Sequence, residues 1–197
     1  MSQQERFSEF LARADVVKDQ LAERFGGVEV VLELQQQAAM KAPSVAKKIH
    51  WLRKGAATIA SAVDGLAACG AACDACCHIP VMLLASEAKV IGKEIGIQPL
   101  DVPVERRDVK PPTFRGEKFP CPFLRDKLCS IRESRPLACR LLFNLDRDNY
   151  LCQHHELSSQ VPYLDTRPFE ISMGLAIRIP GDYVAELRDF FPNGLDG

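Results

Sequence analysis

Cys69-Gly70-Ala71-Ala72-Cys73-Asp74-Ala75-Cys76-Cys77 places four of the chain's 8 cysteines within one short stretch. The remaining thiols, Cys121, Cys129, Cys139 and Cys152, all follow it. If this stretch were one regular helix, about 100° and 1.5 Å per residue would put its thiols on one face, with Cys69 and Cys77 about 12 Å apart along the axis. A tetrahedral zinc with bonds of about 2.3 Å needs sulfurs within about 4 Å of each other, so one ion cannot take all four from a straight helix. Either the segment unwinds around one larger cluster, or it is partly helical and divides its thiols between two metals. Adjacent side chains diverge, so the Cys76-Cys77 pair favours division or bridging. Each metal then needs ligands from Cys121, Cys129, Cys139 and Cys152, and the 8 thiols fill two four-thiolate sites.

The rest of the chain bounds this reading. A length of 197 residues is enough to bury a hydrophobic core without covalent staples. Met1-Ser-Gln-Gln-Glu-Arg6 has no apolar run behind it, and no window approaches a membrane span, so the expectation is a cytoplasmic protein without a membrane partner. In a reducing compartment this many thiols point to ligation or redox chemistry rather than disulfides. The balance of 25 basic against 26 acidic residues supplies no global field for nucleic acid.

Flanking periodicities read mainly as helix. Phe7, Phe10, Leu11, Ala14, Val17 and Leu21 form one apolar stripe, which Gly26-Gly27 ends. A second run, from Val28 to Met40, is expected to be helical, with its Val30-Val31 pair leaving a strand open. A third follows a Ser44 N-cap, with Val45, Ile49, Leu52, Ala56, Ile59 and Val63 forming one seam. Beyond the cysteine stretch, His78 to Ala85 reads as a short strand or the approach to a helix, and Ser86 as the cap of a helix over Glu87 to Glu94 closed by Gly96. Asp101 to Lys118, with Pro103, Pro111 and Pro112, reads as a surface loop. Cys121-Pro-Phe-Leu and Leu-Cys129-Ser-Ile predict two short strands around a tight turn, and Pro136 a helix start that carries Cys139. Tyr150-Leu-Cys152 is expected to be a strand or turn, Phe169 to Ile179 an apolar-periodic segment, and Tyr183 to Phe191 a last helix.

The fold class expected is mainly α, with a small cysteine-rich α+β metal-binding core and a helical N-terminal extension. The organisation expected is a helical region over 1–64, a cysteine-cluster domain over 65–155 and a C-terminal helical tail over 156–197.

All-thiolate ligation suits zinc and iron–sulfur clusters, and argues against magnesium, calcium or an open catalytic zinc. The candidate metal ligands are therefore Cys69, Cys73, Cys76, Cys77, Cys121, Cys129, Cys139 and Cys152. His78, His154 and His155 lie beside Cys77 and Cys152 and are candidates to replace or hydrogen-bond a thiolate. Arg135 and Arg140, flanking Cys139, are candidates to offset the negative charge of such a site.

These motifs, with Arg135-Pro-Leu-Ala-Cys139-Arg, resemble the YkgJ-like cysteine-cluster family, described as a zinc- or iron-chelating domain. The resemblance spans about Cys69 to Cys152 and implies a metal-binding domain that uses all the cysteines. The domain also occurs in proteins linked to flagellin lysine N-methylation, but no glycine-rich loop after a strand is present here for S-adenosylmethionine. Two functional expectations follow. One is a redox or electron-transfer protein, an oxidoreductase, whose N-terminal helices dock a protein partner. The other is a zinc-stabilised interaction module without catalysis.

Overall fold

The computed structural model describes residues 3–70, 72–109, 119–154, 157 and 160–196. Pro111, Pro112 and His155 lie outside the described residues. The chain opens with three helices, α1 (Gln3–Phe25), α2 (Val28–Lys41) and α3 (Val45–Val63). Gly26 and Gly27 adopt positive φ and break α1 from α2, as their lack of a Cβ permits. The Ser44 hydroxyl caps α3 by accepting from Lys47 N at 3.3 Å. Ile49, Leu52, Ala56, Ile59 and Val63 are buried along the expected seam.

Strand β1 (Met82–Leu84) leads directly into α4 (Ala85–Ile95). The β2 (Leu124–Arg125) and β3 (Leu128–Cys129) hairpin and the single turn α5 (Leu137–Arg140) follow. Then come α6 (Tyr150–Gln153), α7 (Arg167–Ile177), β4 (Val184–Glu186) and α8 (Leu187–Phe190). Helix dominates and the strands form two small two-stranded sheets, the mainly α architecture with a small α+β portion that the sequence implies. Among the described residues no helix is long and apolar enough to cross a membrane.

Three local expectations are corrected. Tyr183 to Phe191 begins as strand β4, antiparallel to β1 with Leu83 opposite Ala185, before the short α8. Its partner strand lies about a hundred residues upstream, which local periodicity does not report. Tyr150 to Gln153 is a helical turn, started where Tyr150 N donates to the Asp148 carboxylate at 3.0 Å. Ser86 does not cap α4. The Asp182 carboxylate does so from the C-terminal segment, accepting from Ser86 N at 3.0 Å and Ser86 Oγ at 2.6 Å.

Two apolar cores result. One joins α1, α2 and α3 to Leu137, Leu141 and Leu145 and to the inner face of α7. The other gathers Leu83, Ile91, Phe123, Ile131, Leu187 and Phe190, with Cys121, Cys129 and Cys139 packed against it. At the seam between them stands Glu87, which is 5% exposed and accepts from Leu137 N at 2.8 Å, tying the first turn of α4 to the start of α5.

Burial raises the Glu87 carboxyl to about 7, against the opposing pull of the Leu137 N–H and of the Arg53 and Arg140 charges. The native state therefore holds this proton more tightly than the unfolded chain, whose carboxyl titrates near 4.5. The stabilising contribution is complete below pH ~4.5 and is lost as pH rises through ~7. Glu87→Gln keeps a carbonyl oxygen for Leu137 and removes the titration. Denaturant unfolding of this variant at pH 8 is expected to show a gain of about 1–3 kcal/mol over wild type, shrinking to under about 1 kcal/mol near pH 5 and vanishing below about pH 4. An equal difference at both pH values would contradict the assignment.

Candidate metal centre

Each cysteine is placed by a short turn anchored in backbone hydrogen bonds. After α3, Ala68 N donates to Asn144 O at 2.8 Å, which brings Cys69 against the 144–152 segment. Cys73 N donates to Gly70 O at 3.2 Å, and Ala72 takes a positive φ of 61° to close that turn. Only Ala75–His78 is helical, as one 3-10 turn that carries both Cys76 and Cys77. The stretch is thus partly helical, at this one turn. Cys121 N then donates to Cys77 O at 2.7 Å. From Cys121 the chain enters the β2–β3 hairpin, whose Asp126 and Lys127 both have positive φ, as a two-residue type I′ turn demands. The hairpin pairs Leu124 with Cys129, and Cys139 N bonds Pro136 O at 3.1 Å in the first turn of α5.

All 8 cysteines are free thiols; Cys69 and Cys76 are exposed and the others partly buried. Their mutual electrostatics sort them into two adjoining sets. Cys69, Cys73 and Cys152 form one: burial and then the Cys73 and Cys76 charges raise Cys69, and the Cys69 and Cys73 charges add to burial in raising Cys152 to about 11. Cys77, Cys121, Cys129 and Cys139 form the other. Desolvation raises Cys121 and Cys139, to which the charge of Cys129 adds, and Cys77 feels both Cys121 and Cys139. Cys76 faces both sets, since its charge raises Cys69 and Cys139 alike. A hydrogen bond from the Cys77 thiol lowers Cys76 to about 7 and pushes Cys77 up.

Three further side chains attend the thiols. Buried Asn144 donates its backbone N–H to Cys69 Sγ at 3.5 Å and Nδ2 to Cys152 Sγ at 3.3 Å. Its Oδ1 accepts from Asp146 N at 2.8 Å, which holds the amide in that orientation. Tyr163 hydrogen-bonds Cys152 and lowers its pKa. The Arg135 guanidinium lowers Cys69, Cys76 and Cys139, one cation acting on both sets, as expected from its position. Arg140 is a different case. Its guanidinium bonds the carbonyls of Arg135, Arg132 and Glu133 and so closes the loop before α5.

Of the histidines, His78 shares the 3-10 turn with Cys76 and Cys77, and its Nε2 lies 3.9 Å from Asp74 Oδ2. The His154 ring packs on Tyr150 with centroids 4.2 Å apart.

The two sets are held together from the C-terminal segment. Arg188 donates Nη2 to Cys77 O at 3.1 Å, Nη1 to Ile79 O at 3.4 Å and Nε to Phe119 O at 3.0 Å. Its counter-ion is Glu186, 3% exposed, which also accepts from Val81 N at 3.2 Å. One buried ion pair thus fixes the chain on both sides of the Cys77–Cys121 contact. Periodicity and motif spacing give no hint of Arg188, because the groups it binds lie far away in sequence. Asn144 had a weak local signal, the Asn-Leu-Asp-Arg-Asp-Asn run typical of side-chain-stabilised turns.

Among the described residues no three His, Cys, Asp or Glu side chains are already arranged to hold an ion. The chemistry of the donor set nevertheless fits one. Thiols crowded this closely and partly desolvated repel one another's charge, so they ionise together only with a cation among them. N–H···S donors and a guanidinium are the outer groups that stabilise thiolate ligands.

A soft, all-sulfur set of this density has the donor chemistry that zinc and iron–sulfur centres use. Residues 68–156, just under half of the chain, match the family model CxxCxxCC, described as "Putative zinc- or iron-chelating domain", the same family that the motifs resemble. Comparison with curated proteins and with solved structures finds no significant match.

Replacing Arg188 by Met takes the guanidinium from buried Glu186 and removes its hydrogen bonds to the carbonyls of Cys77, Ile79 and Phe119. Denaturant unfolding is expected to show a loss of about 3–5 kcal/mol. The double variant Arg188→Met, Glu186→Leu is expected to recover part of it. A loss below about 1 kcal/mol in the single variant would show that the pair does not organise the centre.

Proposed function

We propose that this chain is a metal–thiolate protein in which the 8 cysteines ligate two neighbouring centres. Cys69, Cys73 and Cys152 with Cys76 supply one, and Cys77, Cys121, Cys129 and Cys139 the other. The observation that carries this is the placement of the thiols in two adjoining sets, the first bonded by Asn144 at Cys69 and Cys152 and both under the charge of Arg135. The match of residues 68–156 to a zinc- or iron-chelating family model supports metal binding by this segment.

The working reading is redox: iron–sulfur centres that pass electrons to or from a protein partner in the cytoplasm. Exposure of Cys69 and Cys76 favours it, since an electron-transfer centre needs one edge near the surface. N–H···S bonds and a nearby guanidinium are levers that set an iron–sulfur potential. The bound group supplies one-electron chemistry. The chain's own residues bond its sulfurs through Asn144, place a positive charge through Arg135, and bury the inner side against Phe123 and Ile131. The alternative is zinc at both positions, which clips an interaction module together without catalysis. The division into two sets of four favours it, because structural zinc takes four ligands.

Protein purified without oxygen is expected to contain iron with acid-labile sulfide and a broad absorbance near roughly 400 nm. Zinc at about two per chain, without sulfide, would move the assignment to the second reading. Cys73→Ala and Cys139→Ala are each expected to lower bound metal and soluble yield together. Full retention of metal in both would overturn the ligand assignment.

A further inference from the structure

A cavity of about 180 Å³, with no cysteine among its lining residues, lies beside α5, between β1, the start of α4 and the inner face of α7. Its walls are apolar: Leu84, Leu137, Met173, Ile177 and Val184 line it. Two carboxylates also line it. Glu170, exposed at its edge, accepts from Thr166 Oγ1 at 2.5 Å. Glu87, 5% exposed, spends one oxygen on Leu137 N, and its Oε2 has no hydrogen-bond partner among the described residues.

The nearby cations bond other groups, although Arg53 Nε is buried without a hydrogen-bond partner among the described residues. Arg53 of α3 bonds Glu94 at 2.7 Å and Ser134 O at 3.2 Å, and Arg140 of α5 bonds the carbonyls of the preceding loop. Neither guanidinium hydrogen-bonds Glu87. An apolar cleft with a few convergent polar groups is the usual form of a small-molecule site, and a carboxylate oxygen facing the cleft without a hydrogen-bond partner is free to accept from a ligand. Its apolar walls exclude a strongly hydrated metal ion, which demands several oxygen ligands. Net negative charge at an apolar cleft selects a cation that carries its own hydrocarbon. For scale, an engineered apolar cavity of about 150 Å³ accepts benzene, so this one has room for about five or six heavy atoms.

We propose that this cavity is a binding site for a small primary alkylammonium, its ammonium on Glu87 Oε2 towards Glu170 and its short tail among Leu84, Met173 and Ile177. The site is independent of the metal assignment. It opens against Leu137 and Ala138, so a bound amine reaches the turn that carries Cys139.

Binding requires the Glu87 carboxylate, which burial keeps partly protonated at neutral pH. Arg53 and Arg140 favour ionisation, whereas Glu94 on the same helix and Glu170 on α7 carry like charge. Affinity for an ammonium therefore rises as pH increases through about 7.

The test is calorimetric titration of the full metal-loaded chain with n-butylammonium chloride at pH 8 and constant ionic strength, with n-butanol as the neutral analogue. One-site binding with a dissociation constant of about 0.1–1 mM is expected, with n-butanol at least about tenfold weaker. Glu87→Gln, which preserves the Leu137 hydrogen bond, is expected to weaken binding at least about tenfold. Gly174→Leu is the second variant. Gly174 lines the cavity, and a Cβ built there meets nothing within 4 Å, so the new side chain enters open space and blocks the ligand without forcing the helix apart. Absence of saturable binding, equal affinity for the alcohol, or unchanged affinity in either variant would overturn the proposal.

Discussion

The carbonyl oxygen of Cys77 receives two hydrogen bonds, from Cys121 N at 2.7 Å and from the Arg188 guanidinium at 3.1 Å, and the remaining thiol geometry depends on that junction. Without it the dense N-terminal cysteines and the hairpin cysteines would belong to unconnected loops. Arg188 reaches the site because β4 pairs with β1, and β1 begins four residues after His78. The C-terminal segment is therefore a structural part of the thiol centre. Gly194 extends the same logic: it has a positive φ of 62°, and a Cβ there would meet Pro122 O at 2.0 Å, so the last turn seats directly on the residue after Cys121.

A second clamp acts on the other set. Arg6 of α1 pairs with Asp146 at 2.5 Å, Arg147 pairs with Glu9 at 3.0 Å, and Arg13 bonds the Leu145 and Asp146 carbonyls. These contacts fix the loop from which Asn144 addresses Cys69 and Cys152. The N-terminal helices thus bear on thiol chemistry through a turn they hold, although they contribute no sulfur. Crowded thiols make the arrangement demanding. Burial and mutual repulsion raise most of them, and a cation is the natural source of compensation.

What the sequence reveals divides along a physical line. Features set within a few residues were readable: the α3 seam from Val45 to Val63 with its Ser44 cap, the glycine break at Gly26-Gly27, the hairpin between Cys121 and Cys129, and the start of α5 after Pro136. The cysteine motifs carried a resemblance to the family whose model matches residues 68–156. Features set by a distant partner were not. Tyr183 to Glu186 has no local reason to be a strand until Met82–Leu84 is beside it. The cap of α4 is Asp182, not the adjacent Ser86. Arg140 sits beside Cys139 in sequence yet serves its own loop, whereas Arg135 acts on both thiol sets. Buried polar groups such as Asn144, Glu87 and Arg188 escape periodicity because their roles are defined by what the folded chain places around them.

On this reading the thiols, taken together, are the first shell of bound metal. X-ray absorption at the iron and zinc edges, on protein purified without oxygen, tests it most directly. The expected result is a first shell of four sulfurs at about 2.3 Å on every metal detected, with no nitrogen or oxygen shell. A first shell dominated by nitrogen or oxygen at about 2.0–2.1 Å would contradict it.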